Sequence, residues 1–136
     1  MSICTEWDAQ DQSILVTIYR DAWTWQQYEA HESQVVLPLL TGVHRPVARI
    51  LDLRHSHWLQ PTMFKDQIKR NVEELNHFNI CAMIFVVNDK STGVLLEITF
   101  KQFGSHGREY QATSSLDKAY DSVAELLMMQ GACASA

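Results

Sequence analysis

Apolar and polar residues follow two periods along this chain, and these periods predict where strands and helices lie. Residues 13–20 alternate as in a strand, and residues 4–8 are placed to pair with them across a polar turn. Residues 47–53 and 80–87 are nearly continuous apolar runs, which are typical of central strands covered on both faces. Residues 110–113 predict a further short strand.

Helical spacing separates these strands. Thr24 and Gln27 have the spacing of a capping box, so we expect a helix from Thr24 to Gly42 that Pro38 kinks or breaks. A second helix is predicted to start near Pro61, a residue favoured in the first turn. Its apolar residues recur at three- and four-residue steps and predict one buried face: Phe64, Ile68, Val72, Leu75 and Phe78.

Residues 91–103 carry two conflicting patterns. Apolar and polar residues alternate from Leu96 to Phe100, as in a strand. The length of the segment and its position between two strands favour a helix instead, and a helix is the prediction. Ser114, with Asp117 at the capping-box position, predicts a last helix whose apolar residues face inward.

Strands that alternate with helices imply a mainly parallel sheet with helical crossovers. The opening hairpin adds an antiparallel edge. We therefore predict a single α/β domain over residues 1–130, with a four- to five-stranded, mostly parallel mixed sheet and about four helices, because a chain of 136 residues fits one domain. Residues 131–136 are expected to form a disordered tail.

Composition narrows the classes of partner. The net charge of −5 argues against nucleic acid, because phosphate neutralisation needs a surplus of Lys and Arg. No window approaches the ~20 apolar residues of a membrane span, and the acidic N-terminus is unlike a signal peptide, so we expect a cytoplasmic protein. Three widely spaced cysteines predict reduced thiols. No motif for a cofactor is present.

The end of the third strand is the predicted site region, because ligands and partners bind beyond the carboxyl ends of strands in α/β sheets. Asp52 ends this strand beside Arg54. One interpretation makes Asp52 an acid or a ligand; the other, which we favour, has it accept hydrogen bonds from amides of the following loop. Trp58 lies farther along the same segment and is either an anchor for a partner or part of the core.

A short polar loop is expected to follow, and it is rich in histidine. His55, Ser56 and His57 place two imidazoles on one side of an extended segment, and imidazole is a common metal ligand. Asp52 or His106 is a candidate third ligand. Because the sequence fixes no third ligand, we expect a solvated loop, and a metal site stays the weaker alternative.

The pattern resembles STAS-like domains, the SpoIIAA-like fold of bacterial anti-sigma-factor antagonists, and looks closest to an uncharacterised bacterial branch of that superfamily. Four segments carry the resemblance: the early strand followed by a Trp-rich helix start at 21–25, the strand at 46–54, the apolar run at 80–87 and the segment at 115–120. The resemblance covers nearly the whole chain.

The resemblance implies a regulatory, non-enzymatic domain whose protein partner is a regulator or kinase-like protein. In that family a serine at the start of the helix after this strand is phosphorylated. The equivalent position here is Pro61, and Thr62 is the nearest hydroxyl, so Thr62 is the candidate for phosphorylation. The expected partner surface comprises the loop from Arg54 to Thr62 and the helix that follows it.

Two alternatives stay open beside this reading. The same broad fold resembles CRAL-TRIO domains, which implies an apolar, lipid-like ligand in a cavity beneath residues 91–103. The weak metal site at His55 and His57 is the other. Residues 13–20 also offer a weakly charged strand for pairing across a two-fold axis in a homodimer.

Overall fold

The structure, a computed structural model, describes residues 2–8, 13–57, 65–104 and 108–135, without the side chains of residues 57, 65 and 129–135. Its five strands form one sheet in the order β1 to β5. The strands are β1 (Ile3–Trp7), β2 (Ile14–Ala22), β3 (Val47–His57), β4 (Ile80–Val86) and β5 (Glu109–Thr113). β1 is antiparallel to β2, and the other neighbours are parallel. The predicted single, mostly parallel mixed sheet with an antiparallel edge is confirmed.

The helices cover both faces of this sheet. They are α1 (Trp25–His31), a π-helical segment (Glu32–Val36), α2 (Leu37–Leu40), α3 (Lys65–Leu75), α4 (Lys90–Phe103) and α5 (Leu116–Ser135). Because α1, the π-helical segment and α2 are continuous, the described residues form four helical stretches, as predicted. The ambiguous segment 91–103 is helical. No helix in this part of the chain is long and apolar enough to cross a membrane.

The first helical stretch forms where its caps predict. The Thr24 hydroxyl accepts the Gln27 backbone N–H at 3.1 Å, and the Gln27 side chain accepts the Thr24 N–H at 2.9 Å. Pro38 lies in the first turn of α2, directly after the π-helical segment. Proline lacks an N–H and crowds the carbonyl four residues earlier, which accounts for the wider turn before it. Gly42 ends the stretch with φ of +82°, a backbone conformation that glycine adopts without strain.

Three sequence predictions need correction. Ser115, not Ser114, caps α5, because the Ser115 hydroxyl accepts the Lys118 N–H at 3.2 Å. The helix continues through residues 131–135, where a disordered tail is predicted. The segment 13–20 belongs to β2, which pairs with β1 and with β3, so it is no edge and the predicted homodimer pairing through it is wrong.

Apolar residues fill both faces of the sheet. One face packs against α1, α3 and α4 and the other against α5. Every residue of β4 is buried, as expected for a central strand. Ile68, Val72 and Leu75 of α3 are also fully buried, so this part of the predicted apolar face is confirmed. Pro61 and Phe64, where that helix is predicted to begin, lie outside the described residues.

Candidate functional site

Asp52 lies in the middle of β3, where the pairing with β4 ends, and is only 2% exposed. Its carboxylate accepts the Arg54 backbone N–H at 3.1 Å and the Arg54 guanidinium through two contacts of 2.9 Å. Burial raises the pKa of Asp52, but the hydrogen bonds from Arg54 outweigh burial and lower it overall. Asp52 is therefore ionised and held within its own strand, and Arg54 is the residue of this pair that reaches solvent.

The histidine-rich segment is strand, not loop. β3 runs on to His57 because β2 extends to Ala22 and pairs with His55, Ser56 and His57. The predicted loop therefore begins later than residue 54. His55 is exposed, and the Ser56 hydroxyl donates to the Leu53 carbonyl at 3.1 Å.

Within the described part of the chain, no group of three or more His, Cys, Asp or Glu residues is arranged to hold a metal ion. The side chain of His57, and all of Trp58, Thr62 and His106, lie outside that part. The metal site, the Trp58 anchor and the Thr62 phosphorylation site stay predictions.

Hydrogen bonds connect the end of β3 to the start of α4. The Asn88 side-chain amide donates to the Arg54 carbonyl at 2.7 Å. Asp89 caps α4 by accepting the Thr92 N–H at 3.0 Å and the Thr92 hydroxyl at 2.8 Å, and these bonds lower the pKa of Asp89. The carboxyl edge of the sheet is thus a connected surface, formed by β3, the β4–α4 turn and α4.

An open groove of about 460 Å³ lies at this edge, between the first half of α4 and the ends of β4 and β5. Gly93 lets α4 approach β5 closely, since a Cβ at Gly93 would lie 2.8 Å from the Cβ of Ala112. Glu97 closes the far side, because its carboxylate accepts the Ala112 backbone N–H at 2.6 Å. The groove is therefore built by close packing of a helix on the edge strand.

Three apolar side chains of α4 project into solvent beside the groove. Val94 is 45% exposed, Leu95 38% and Ile98 59%, and Val94 also lines the groove. We call these three residues the α4 patch. Among the described residues, the other exposed large hydrophobic side chain is Met128 on α5. The sequence analysis missed the patch, although the apolar residues on more than one face of the predicted helix were a signal for it.

Aromatic rings fill the space beneath α4. Tyr19, Trp23, Trp25 and Tyr28 pack with ring centroids 5.1–6.1 Å apart, so the predicted core role of Trp23 and Trp25 is confirmed. A cavity of about 30 Å³ remains between these rings, the sheet and α4. That volume is about the share of liquid volume that one water molecule occupies, so the cavity as it stands is too small for a lipid.

A buried polar cluster on the same side of the sheet was not predicted. Arg49 is 0% exposed and Glu32 2% exposed, and two bonds of 3.1 Å join the guanidinium to the carboxylate. Asn71 donates to Glu32 at 3.3 Å and accepts the Tyr28 hydroxyl. The available signal was Arg49 itself, a charged residue inside an apolar strand.

Hydroxyl groups extend this cluster to His31. Arg49 donates to the Thr17 hydroxyl at 3.1 Å, the hydroxyls of Thr17 and Thr5 are 2.8 Å apart, and Thr5 lies 2.7 Å from Nε2 of His31. The guanidinium of Arg49 only donates, so the Thr17 hydroxyl accepts this bond, and the two threonine hydroxyls link it to Nε2 of His31. Burial lowers the pKa of His31.

No protein-family model matches the chain, and no curated protein matches it. Among solved structures, the chain is similar to the crystal structure of an uncharacterized DUF3478-family protein with a SpoIIAA-like fold from Shewanella loihica PV-4. The TM-score is 0.64 at 15% sequence identity, over 88% of this chain and 90% of that chain. This chain has a SpoIIAA-like fold. The fold that the sequence resemblance implied is confirmed. At 15% identity the likeness shows the fold alone, so the role of this domain depends on its own surface.

Proposed function

We propose that this SpoIIAA-like domain is a non-enzymatic regulatory domain that binds a protein partner. The observation that carries the proposal is the α4 patch beside the open groove. Single exposed hydrophobic residues are ordinary on protein surfaces, but adjacent ones mark interaction sites. In this domain Val94, Leu95 and Ile98 occupy neighbouring positions on one helix, at the edge of the sheet where α/β proteins bind partners.

The partner surface that we propose is broader than the patch. It includes Arg54 and His55 at the end of β3, which the Asn88 bridge holds next to α4. This surface has an apolar centre with a polar rim, the usual anatomy of a protein interface. The sequence analysis located the surface on the segment 54–62 and the following helix. The exposed apolar residues move its centre to α4, because the described outward residues of α3 are charged or polar.

The resemblance to anti-sigma-factor antagonists supports a regulator or kinase-like protein as the partner. Phosphorylation of Thr62 stays part of this proposal. Arg54 and Thr62 are the two ends of the segment 54–62, so a phosphate on Thr62 would lie near the proposed surface in the sequence.

The test is affinity capture from an extract of the source organism, with the domain immobilised and bound proteins quantified by mass spectrometry. We compare wild type with Ile98→Asp and use Met128→Asp as the matched control, because it places the same charge on an exposed hydrophobic position of another helix. We expect a protein that wild type and Met128→Asp retain and that Ile98→Asp loses at least about tenfold, the ratio that 1.4 kcal/mol produces. Equal retention by all three contradicts the proposal.

The aromatic cavity favours a second candidate, a carrier of a small apolar ligand. The cavity lies beneath α4, where such a site was expected, and aromatic and aliphatic side chains line it. Its volume of about 30 Å³ makes this candidate the weaker one, because ligand pockets are typically about 300–1,000 Å³. Native mass spectrometry of the domain purified without denaturation separates the two. A stoichiometric bound lipid supports the carrier, and an unliganded mass supports the interaction domain.

A further inference from the structure

Among the described residues, no strand pairs with the outer edge of β1. Along β1, Ser2 accepts the Arg20 N–H at 2.7 Å, and Asp8 donates its N–H to Ile14 at 2.9 Å. In an antiparallel pair the bonded residues alternate, so the even-numbered residues bond to β2. The N–H and C=O groups of Ile3, Thr5 and Trp7 therefore point away from β2, and nothing in the described part of the chain hydrogen-bonds to them.

The opposite edge of the sheet is blocked by contrast. In β5 the N–H of Ala112 faces outward and donates to the Glu97 carboxylate at 2.6 Å. This contact fills a position that another strand would need. Proteins block edge strands because open edges are templates for pairing with another chain. The difference between the edges directs pairing to β1.

A pocket of about 210 Å³ lies between β1 and the first helical stretch. Its lining includes Ile3, Ala30 and Val35, with His31 and Gln27 as polar members. Ile3 and Trp7 have their side chains on this same face of the sheet, because both pack with the apolar core between the sheet and α1. A cavity of 150 Å³ accepts benzene, so the pocket is large enough for an aromatic ring.

We propose that a second copy of this chain pairs with the open edge of β1, antiparallel and related by a two-fold axis at Thr5. The outward groups of Ile3, Thr5 and Trp7 then form six hydrogen bonds with their counterparts, because each opposed pair exchanges both bonds. Thr5 faces Thr5 of the second copy, and Ile3 faces Trp7 of the second copy. The sheet continues across the interface.

The self-complementarity of β1 in this register favours a second copy as the occupant. This register places Trp7 of the second copy beside Ile3, at the mouth of the pocket. The two-fold axis generates the same contact in the other copy. On the other face this register opposes Cys4 to Glu6, so no two like charges lie directly opposite each other. Three backbone pairs alone form a small interface, and the part of each Trp7 that its own chain leaves exposed adds apolar contact to it. The arrangement leaves both α4 patches open.

The first measurement is the mass of the wild-type domain by light scattering across a concentration series. We expect twice the chain mass of 15.6 kDa, and we expect Trp7→Glu to give the monomer mass while Trp7→Phe stays dimeric. Thermal unfolding of each variant checks its fold. A wild-type monomer at every concentration overturns the proposal.

A cross-link tests the register independently of Trp7. In the proposed pairing Cys4 faces position 6 of the second copy as a non-hydrogen-bonded pair, whose Cα atoms are about 4.5 Å apart and within reach of a disulfide. Under mild oxidation, Glu6→Cys should form disulfide dimers linked between positions 4 and 6. Glu109→Cys on β5 is the matched control, and all variants carry Cys133→Ser. Cross-linking of Glu6→Cys no faster than of the control overturns the register.

Discussion

Two arginine–carboxylate pairs lie on or against β3, and they differ in what surrounds them. Arg49 and Glu32 are fully buried, with side-chain exposures of 0% and 2%, and Thr17 and Asn71 bond to the pair from other elements. In the Arg54–Asp52 pair the arginine is 25% exposed and both partners come from one strand. The first pair ties separate elements together inside the domain, whereas the second holds the end of a strand at the surface.

The comparison extends to the regions around the two pairs. Around Arg49 the polar groups bond to one another and are nearly fully buried. Around Arg54 the sheet ends beside a groove and the α4 patch, and polar and apolar atoms face solvent. The buried cluster therefore contributes to the stability of the fold, and the carboxyl edge is the region that we propose binds a partner.

The largest effect is expected at the buried pair. Arg49→Met leaves the Glu32 carboxylate buried without its partner, which typically costs about 3–5 kcal/mol. Arg54→Met is the matched control on the same strand, and we expect a smaller loss because the Arg54 side chain is 25% exposed and the Asp52 carboxylate keeps its bond from the backbone N–H of residue 54. Urea denaturation of both variants measures the free energy of unfolding.

A double variant separates the effect of the ion pair on stability from the effect of side-chain packing. Arg49→Met with Glu32→Leu removes both charges, and such replacements often restore or improve stability. We expect the double variant to be more stable than Arg49→Met alone. If the two are equally unstable, the ion pair does not explain the loss.

A smaller loss is expected at the groove. Gly93→Ala introduces a Cβ 2.8 Å from that of Ala112, and overpacking of this kind costs about 1–3 kcal/mol. Adding Ala112→Gly removes the opposing atom and should recover most of the stability. The free energy of unfolding of the three proteins checks this, and a Gly93→Ala variant as stable as wild type would show that α4 does not approach β5 so closely.

The smallest effect is a pH dependence at His31. Burial lowers the pKa of His31 from 6.5, while Glu32 raises it and Arg49 lowers it. The unfolded chain therefore binds a proton more readily than the folded one, so stability present above about pH 6.5 is lost as the pH falls through the folded pKa. We expect His31→Gln to flatten the stability profile between pH 7.5 and 5. An unchanged profile would contradict a lowered pKa of His31 in the folded state.

The hydrophobic pattern was enough to predict the strands and a mostly parallel sheet, because periodicity is local. The helix α4 was predicted from the length of its segment and its position between two strands. It was not enough for the buried cluster, whose members come from β1, β2, α1, the π-helical segment, β3 and α3. The charges of Glu32 and Arg49 gave no local sign that they meet. β3 extends beyond its predicted end for a similar reason. Residues 55–57 are polar and carry no strand pattern of their own, and pairing with β2 up to Ala22 makes them part of the strand.

The most direct measurement of the central claim is site-specific photocross-linking in cells of the source organism. A benzophenone amino acid replaces Ile98 in the α4 patch or, in the matched control, Met128 on α5. The account predicts a discrete adduct with another protein from position 98 and none from position 128. No adduct from position 98, or the same adducts from both positions, would contradict the claim that this surface binds the partner.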